Sequence, residues 1–474
     1  MISGEDWRNA IAPPREARDR LLAHAAALVS RRLGSLTEAG PLNGPLDREA
    51  IRDRLSQFDF DRPVDLADAA SELAALLGGS GVQSAHARCF GLFNPTPAFP
   101  GVVADMLAAA WNPQLAVWSH ASGAVEAEHH VLAHVARRLE FPNDAGASHF
   151  TTGGSEANAT ALNVALTRLF PAFADHGLAG LSSRPRIYAS AESHLAWLKI
   201  AHQAGLGRDA LRLVDVDGAG RLDLAALDRA LARDIAAGHA PTMVIATAGT
   251  TNAGILDPIE GAVAAARSAG AHIHVDAAWA GAAAFSDRLR PRLVGISLAD
   301  SITVDAHKWL SAPMGAGMFF CRRKDWLAAA FRVSTDYMPQ DQVGLDPYVL
   351  SQQWSRRLVG LRLLLILAAL GREGVARQIE HQADMGDLLR TKLAAAGWRV
   401  INDSPLPVVC YVDPAGADPS GIAQRVVDRG RVWISPTRTQ GVACLRSCIT
   451  SFLVEPADLD ILVEELDAAR QAPG

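Results

Sequence analysis

The sequence predicts an α/β protein whose core is a mostly parallel, doubly wound sheet, and two observations carry that prediction. Between Ala147 and Arg322, short β-rich runs ("RIYAS", "LRLVDVD", "TMVIATAG", "HIHVDAAW", "SITVDAHK", "GMFFCR") alternate with helical stretches such as "DLAALDRALARDIAAG" and "PIEGAVAAARSAG". The text on either side has a different texture. From Trp7 to Leu77 apolar residues recur at spacings of three and four, broken by "PLNGPLD" and "FDRPVD", which predicts a helical arm. After about Leu358 a long helix, three short strands ("VVCYVD", "RVWIS", "CLRSCIT") and a closing helix from Pro456 predict a smaller α+β domain. The expected divisions are 1–90, 91–357 and 358–474, in keeping with about 150 residues per domain. The Gly- and Pro-rich stretch Phe90–Gly101 reads as an ordered loop at the first boundary.

Composition narrows the classes of function. With 49% hydrophobic and 20% charged residues, the chain resembles an ordinary globular protein. A formal net charge of -6 without a concentrated basic face argues against nucleic acid or anionic lipid as partner. The most apolar window, Leu358 to Leu370, contains Arg362 and is well short of the roughly 20 residues that span a bilayer, so no membrane segment is expected. The N-terminal stretch is charged and lacks an apolar core, so the expected compartment is the cytoplasm. Five scattered cysteines lack the partners of a zinc site, which leaves them as reduced core thiols and predicts no metal.

Three placements carry chemistry. "FTTGGSEANATALNVAL" sets Gly153, Gly154 and Ser155 between an extended run and an amphipathic helix, an arrangement that offers backbone N–H groups and a hydroxyl to an anion. It has neither the lysine of a Walker loop nor the glycine spacing of a dinucleotide fold. "HIHVDAAWAG" ends an apolar strand on Asp276, where a carboxylate is costly unless it meets a cation. A second such strand is expected to end on His307 and Lys308, where an ammonium is equally costly. Each alone is more commonly a turn, a cap or a surface lysine. Pyridoxal phosphate accounts for all three at once: a lysine for its aldehyde, a carboxylate for its ring nitrogen and a helix N-terminus for its phosphate.

At these residues the sequence resembles the pyridoxal-phosphate-dependent group II decarboxylases, which include aromatic-L-amino-acid and glutamate decarboxylases. "TTGGSEAN", "HVDAAWAG" and "VDAHKWL" carry the likeness, in order and spacing, within a stretch from about Phe90 to Ile449. The resemblance implies a fold-type I transferase-like architecture with a seven-stranded sheet, a helical arm that intertwines two subunits, and a homodimer with active sites near the interface. It implies a Schiff base on Lys308, His194 stacking on one ring face and Ala278 packing on the other. By the same resemblance Thr251 meets the ring hydroxyl, His307 the phosphate, and Arg446 a substrate carboxylate. Leu92, with Gln114 and Ala116, matches segments that shape the substrate pocket.

The implied reaction is decarboxylation of an L-amino acid to its amine and carbon dioxide, with a tyrosine on a lid returning the proton. Tyr337 and Tyr348 lie in "FRVSTDYMPQDQVGLDPY", and Tyr348 is the expected acid because it precedes the Arg356 and Arg357 pair at close to the family spacing. The rival readings are an aldehyde synthase or carbon–carbon lyase on the same fold, and a binding protein that retains the fold without catalysis.

Overall fold

The computed structural model describes residues 6–333 and 346–471. Tyr337 and most of the expected lid lie outside the described residues. The large sheet has seven strands: β1 (Ser148–Thr151), β2 (Pro185–Ser190), β3 (Leu211–Val214), β4 (Ala240–Thr247), β5 (His272–Asp276), β6 (Ser301–Asp305) and β7 (Gly317–Cys321). Their order is β1-β7-β6-β5-β4-β2-β3. Neighbours from β6 to β3 pair parallel, and β7 runs antiparallel between β6 and β1.

Strand alternation explains the double winding, because successive residues face opposite sides of the sheet. In β4, Met243 and Ile245 pack under the helices Gly154–Leu169 and Ala196–Gln203. Val244 and Ala246 pack on the other side with the helices Leu224–Ala236 and Ile259–Ser268. Both faces are covered, so the strands read as apolar runs.

The smaller sheet has the order β10-β11-β9-β8, made of β8 (Arg399–Val400), β9 (Val408–Val412), β10 (Ser435–Thr439) and β11 (Val442–Cys448). Two details differ from expectation. "RVWIS" is largely a connection, with Val432 and Ile434 buried as core plugs, and the strand begins only at Ser435. That strand contains Pro436, which an edge position tolerates because no ladder donor is needed there.

Packing also crosses the expected divisions. Phe90 is fully buried in the small-domain core beside Leu389 and Tyr411. The helix Leu361–Ala395 buries Leu363, Ile366 and Ile379 against the large sheet and Leu389 and Leu393 in the small core, with Gly371 at φ 63° between its halves. All five cysteines are buried and free. Among the described residues no helix is long and apolar enough to cross a membrane.

Candidate active site

On a sheet wound this way, ligands meet the loops that follow the C-terminal ends of parallel strands. A cavity of about 340 Å³ lies there, walled by residues just beyond β1, β2, β4, β5 and β6. Nine residues singled out from sequence line it together: Gly153, Gly154, Ser155, His194, Thr251, Asp276, Ala278, His307 and Lys308.

Lys308 is not on a strand end. β6 stops at Asp305, and the chain enters a turn in which Lys308 N–H donates to the Asp305 carbonyl and Ala306 N–H to the Ala316 carbonyl. A turn is needed because a strand residue at this point would aim its side chain into one of the packed faces. Lys308 Nζ sits 3.0 Å from Asp305 Oδ2, and the Asp305 side chain is only 2% exposed. His307 Nδ1 accepts the Ala316 N–H, which leaves Nε2 as the donor of the neutral ring. Burial pushes the His307 ring below its ordinary value, partly offset by Asp305.

Gly153, Gly154 and Ser155 lead from β1 into the helix Gly154–Leu169. The helix Gly154–Leu169 has no side chain capping its first turn, so its free N–H groups open toward the cavity. A Cβ on Gly154 would stand 3.0 Å from Asp305 Oδ2 and 3.3 Å from the Ala278 Cβ, so a larger residue would fill the cradle. Asp276, at the end of β5, accepts from Asn158 Nδ2 at 2.8 Å and from Ala278 N–H at 3.2 Å. His194 lies in the turn after β2, outside any helix, and its Nδ1 accepts the Ala196 N–H. Its Nε2 is therefore the ring's N–H. Burial lowers its proton affinity, with Asp276 pulling the other way.

An amine, a buried carboxylate and an uncapped helix N-terminus converge on one cavity, which is the donor set pyridoxal phosphate requires. A profile of the pyridoxal-dependent decarboxylase conserved domain matches residues 62–412. The chain belongs to the pyridoxal-dependent decarboxylase family. As a member of this family it is a carboxy-lyase that uses pyridoxal phosphate. It is 35% identical over 306 residues to the L-2,4-diaminobutyrate decarboxylase of Rhizobium meliloti, a match covering 64% of this chain and 58% of that protein. It is 25% identical over 423 residues to the aromatic-L-amino-acid decarboxylase of Bacillus atrophaeus, covering 86% of each. The crystal structure of mouse CSAD superposes with a TM-score of 0.90 at 24% identity, covering 97% of this chain and 100% of that one.

Five residues expected to shape the site, Leu92, Gln114, Ala116, Arg446 and Tyr348, are absent from the cavity wall. Phe93, not Leu92, faces the cavity, its ring 4.7 Å from that of Trp279. Arg446 lies behind Phe93, its guanidinium 5.4 Å from the ring centre. Its two terminal nitrogens donate to the carbonyls of Thr251 at 2.9 Å and Gly91 at 2.7 Å and to Ser435 Oγ, while Nε is buried without a partner among the described residues. It therefore braces the Thr251 loop, and a carboxylate would have to displace those bonds. Tyr348 is buried, its ring 4.9 Å from Trp354 and its N–H bonded to the Ala116 carbonyl, away from the cavity of its own chain. Gln114 bonds Ser355 and is likewise elsewhere.

Sequence reasoning missed Asp305, Asn158, Thr247 and Phe93. Asp305 and Asn158 sit inside the quoted motifs "VDAHKWL" and "TTGGSEAN", and Asn158 is four residues after Gly154, one helical turn along the same face. That spacing was an available signal.

Proposed function

We propose that this protein converts an L-amino acid to the corresponding amine and carbon dioxide, with Lys308 as the cofactor-bearing residue. The observation that supports this most is the convergence of Lys308, Asp276 and His194 on one cavity at the strand ends. Pyridoxal phosphate supplies, when bound, a protonated ring that accepts the electrons of the breaking carbon–carbon bond.

The chain's own residues do the rest. Lys308 would bear the cofactor, and Asp305 Oδ2 orients its Nζ, would take up the ammonium proton as the amine condenses with an aldehyde, and would return one when the substrate amine displaces the lysine. Asp276, its two oxygens oriented by Asn158 and Ala278, would pair with the ring nitrogen and hold its proton. Gly153 to Ser155 and the His307 Nε2–H would hold the phosphate. Phe93 and the stacked Trp279 and Trp309, 5.2 Å apart, exclude water from one side. His194 lines the same cavity, where it would stack on the bound ring and carry a proton at Nε2.

We further propose a homodimer. The helix Arg15–Gly34 has no buried residue over its 20 positions, and Trp111 and Phe99 are 76% and 62% exposed, a surface that a second copy would cover. Since Tyr348 does not line the cavity of its own chain, a role as the returning acid requires that second copy.

The test is a screen of carbon dioxide release over the common L-amino acids plus 2,4-diaminobutyrate, with products identified. Stoichiometric amine supports the reading. Aldehyde with peroxide would indicate the aldehyde-synthase chemistry instead, and a colourless protein that binds no cofactor would indicate a binding protein.

A further inference from the structure

The strand "HIHVD" poses a problem that the proposed reaction does not solve. Its period of two puts His272, His274 and Asp276 on one face of β5, and all three are almost wholly buried. A central parallel strand is ordinarily apolar throughout. Two imidazoles inside it cost stability unless every ring nitrogen finds a partner.

Every one does. His272 Nδ1 lies 3.4 Å from Arg168 NH1, and His272 Nε2 lies 2.8 Å from Ser301 Oγ. Ser301 Oγ lies 2.8 Å from His274 Nδ1. His274 Nε2 lies 3.0 Å from Asn158 Oδ1, and Asn158 Nδ2 lies 2.8 Å from Asp276 Oδ2. The direction of each bond follows from its two ends. A carboxylate only accepts and a guanidinium only donates. Asn158 must therefore turn its NH₂ to Asp276, so its oxygen accepts from His274 Nε2–H. His274 Nδ1 must then accept from Ser301, whose oxygen accepts from His272 Nε2–H. His272 Nδ1 is left to accept from Arg168. One assignment satisfies all five links, with both rings neutral and every proton pointing toward Asp276. Burial agrees, since it drives His272 down to about 4 and His274 well below the ordinary histidine range.

We infer that this relay, from Arg168 at the surface to Asp276 in the cavity, orients the ring-nitrogen carboxylate and stabilises its charge, with Asn158, His274, Ser301 and His272 as positioning residues. The inference rests on the proposed role of Asp276. Each donor in the chain is polarised by the next, so cutting a distant link weakens the last one. The charged groups around the relay are few. Lys308, His194, His307, Asp305 and Glu156 share the cavity with Asp276, and Asp300 stands 3.8 Å from His272 Nδ1 while pairing with Arg168 at 3.0 Å. Besides its relay partners, His274 meets the Trp197 ring edge and Thr303.

The test uses two variants remote from the cavity. Ser301→Ala deletes one oxygen from the middle of the chain, and Arg168→Met removes the terminal donor while keeping a stem over Trp326, on which the guanidinium now stacks at 4.1 Å. For each holoenzyme the dissociation constant of pyridoxal phosphate and the pH midpoint of its visible absorption band are measured, alongside the melting temperature. Ser301→Ala is expected to weaken cofactor binding about tenfold, as second partners of metal ligands do. It should also move the midpoint upward, because a less stabilised carboxylate supports less positive charge on the ring. Arg168→Met should shift both in the same direction by less, and it decides alone if Ser301→Ala fails to fold. A lowered melting temperature with binding within twofold of the parent and an unmoved midpoint overturns the relay and leaves a purely structural chain. Asp276→Asn is the control. If it moves both readouts while the relay variants do not, the relay alone fails. If it moves neither, the assignment of Asp276 fails and the relay with it.

Discussion

Lys308 and Asp276 occupy the same cavity but have separable tasks, and single substitutions should divide them. Lys308→Ala is expected to abolish turnover and the visible absorption band while phosphate contacts still retain some cofactor, because no other lysine lines the described cavity. Spectra of the reconstituted variant check this, and a normal band would remove Lys308 from its role. Asp276→Asn should keep the fold by circular dichroism and lose on the order of 10²-fold in kcat, since a neutral amide cannot hold the ring proton. His194 supplies a pH signature. Burial lowers it below 6.5, so its neutral ring persists through pH 6.5 and activity falls only as the pH drops through that lowered value. The acid limb of the kcat profile should disappear in His194→Gln. Tyr348→Phe should keep carbon dioxide release and shift product from amine toward aldehyde, measured by quantifying both.

Among the elements, the connection into the helix Leu361–Ala395 is the most exposed to a single change. Glu128, 1% exposed, accepts from the N–H groups of Val359 at 3.0 Å and Gly360 at 2.9 Å and pairs with Arg356 at 2.8 Å. Arg356 in turn donates to the Phe150 carbonyl, one residue before the end of β1. One carboxylate thus fixes the start of a 35-residue helix, and Arg362 in its first turn grips the Met314 carbonyl of the loop that follows Lys308. Glu128→Ala leaves Arg356 buried and unpaired, which costs about 3–5 kcal/mol. Denaturant unfolding of the holoenzyme should show that loss, together with weaker cofactor retention. A change under 1 kcal/mol would mean that water replaces the carboxylate.

For the whole molecule, buried histidines set the response to acid. His149 is pushed down to about 3 and His272 to about 4, and His274 is lowered as well, all by burial. The unfolded chain binds protons at these groups near pH 6.5 and the folded chain does not. Their contribution is complete above 6.5 and declines as pH falls toward 4, by up to about 1.4 kcal/mol per pH unit for each group. Asp257 opposes this, because burial raises it to about 6 and its neutral form favours the fold as pH falls below that. Three groups outweigh one, so the melting temperature should fall steadily from pH 6.5 to 4.5 in calorimetry. Light scattering should return twice the 50.2 kDa chain mass, and a monomer at working concentration would refute the proposed dimer.

By itself the sequence determined the winding of the sheet and the main groups of the site. Strand and helix periods, a carboxylate at the end of "HIHVD", and glycines before an amphipathic helix are local statements, and burial penalties make unpaired charges at such places costly. It could not determine which side chains turn inward from irregular backbone. Phe93 rather than Leu92 and the capture of Arg446 by the Thr251 and Gly91 carbonyls depend on contacts across 100 residues or more. Tertiary structure also decided what the histidines of β5 are for. A period of two shows that they share a face with Asp276, but only the pairing of β6 beside β5 and the helix Gly154–Leu169 over that face bring Ser301, Asn158 and Arg168 within hydrogen-bonding distance. The physical reason is that a hydrogen bond needs about 3 Å and an aligned donor, and sequence spacing constrains neither between separate elements.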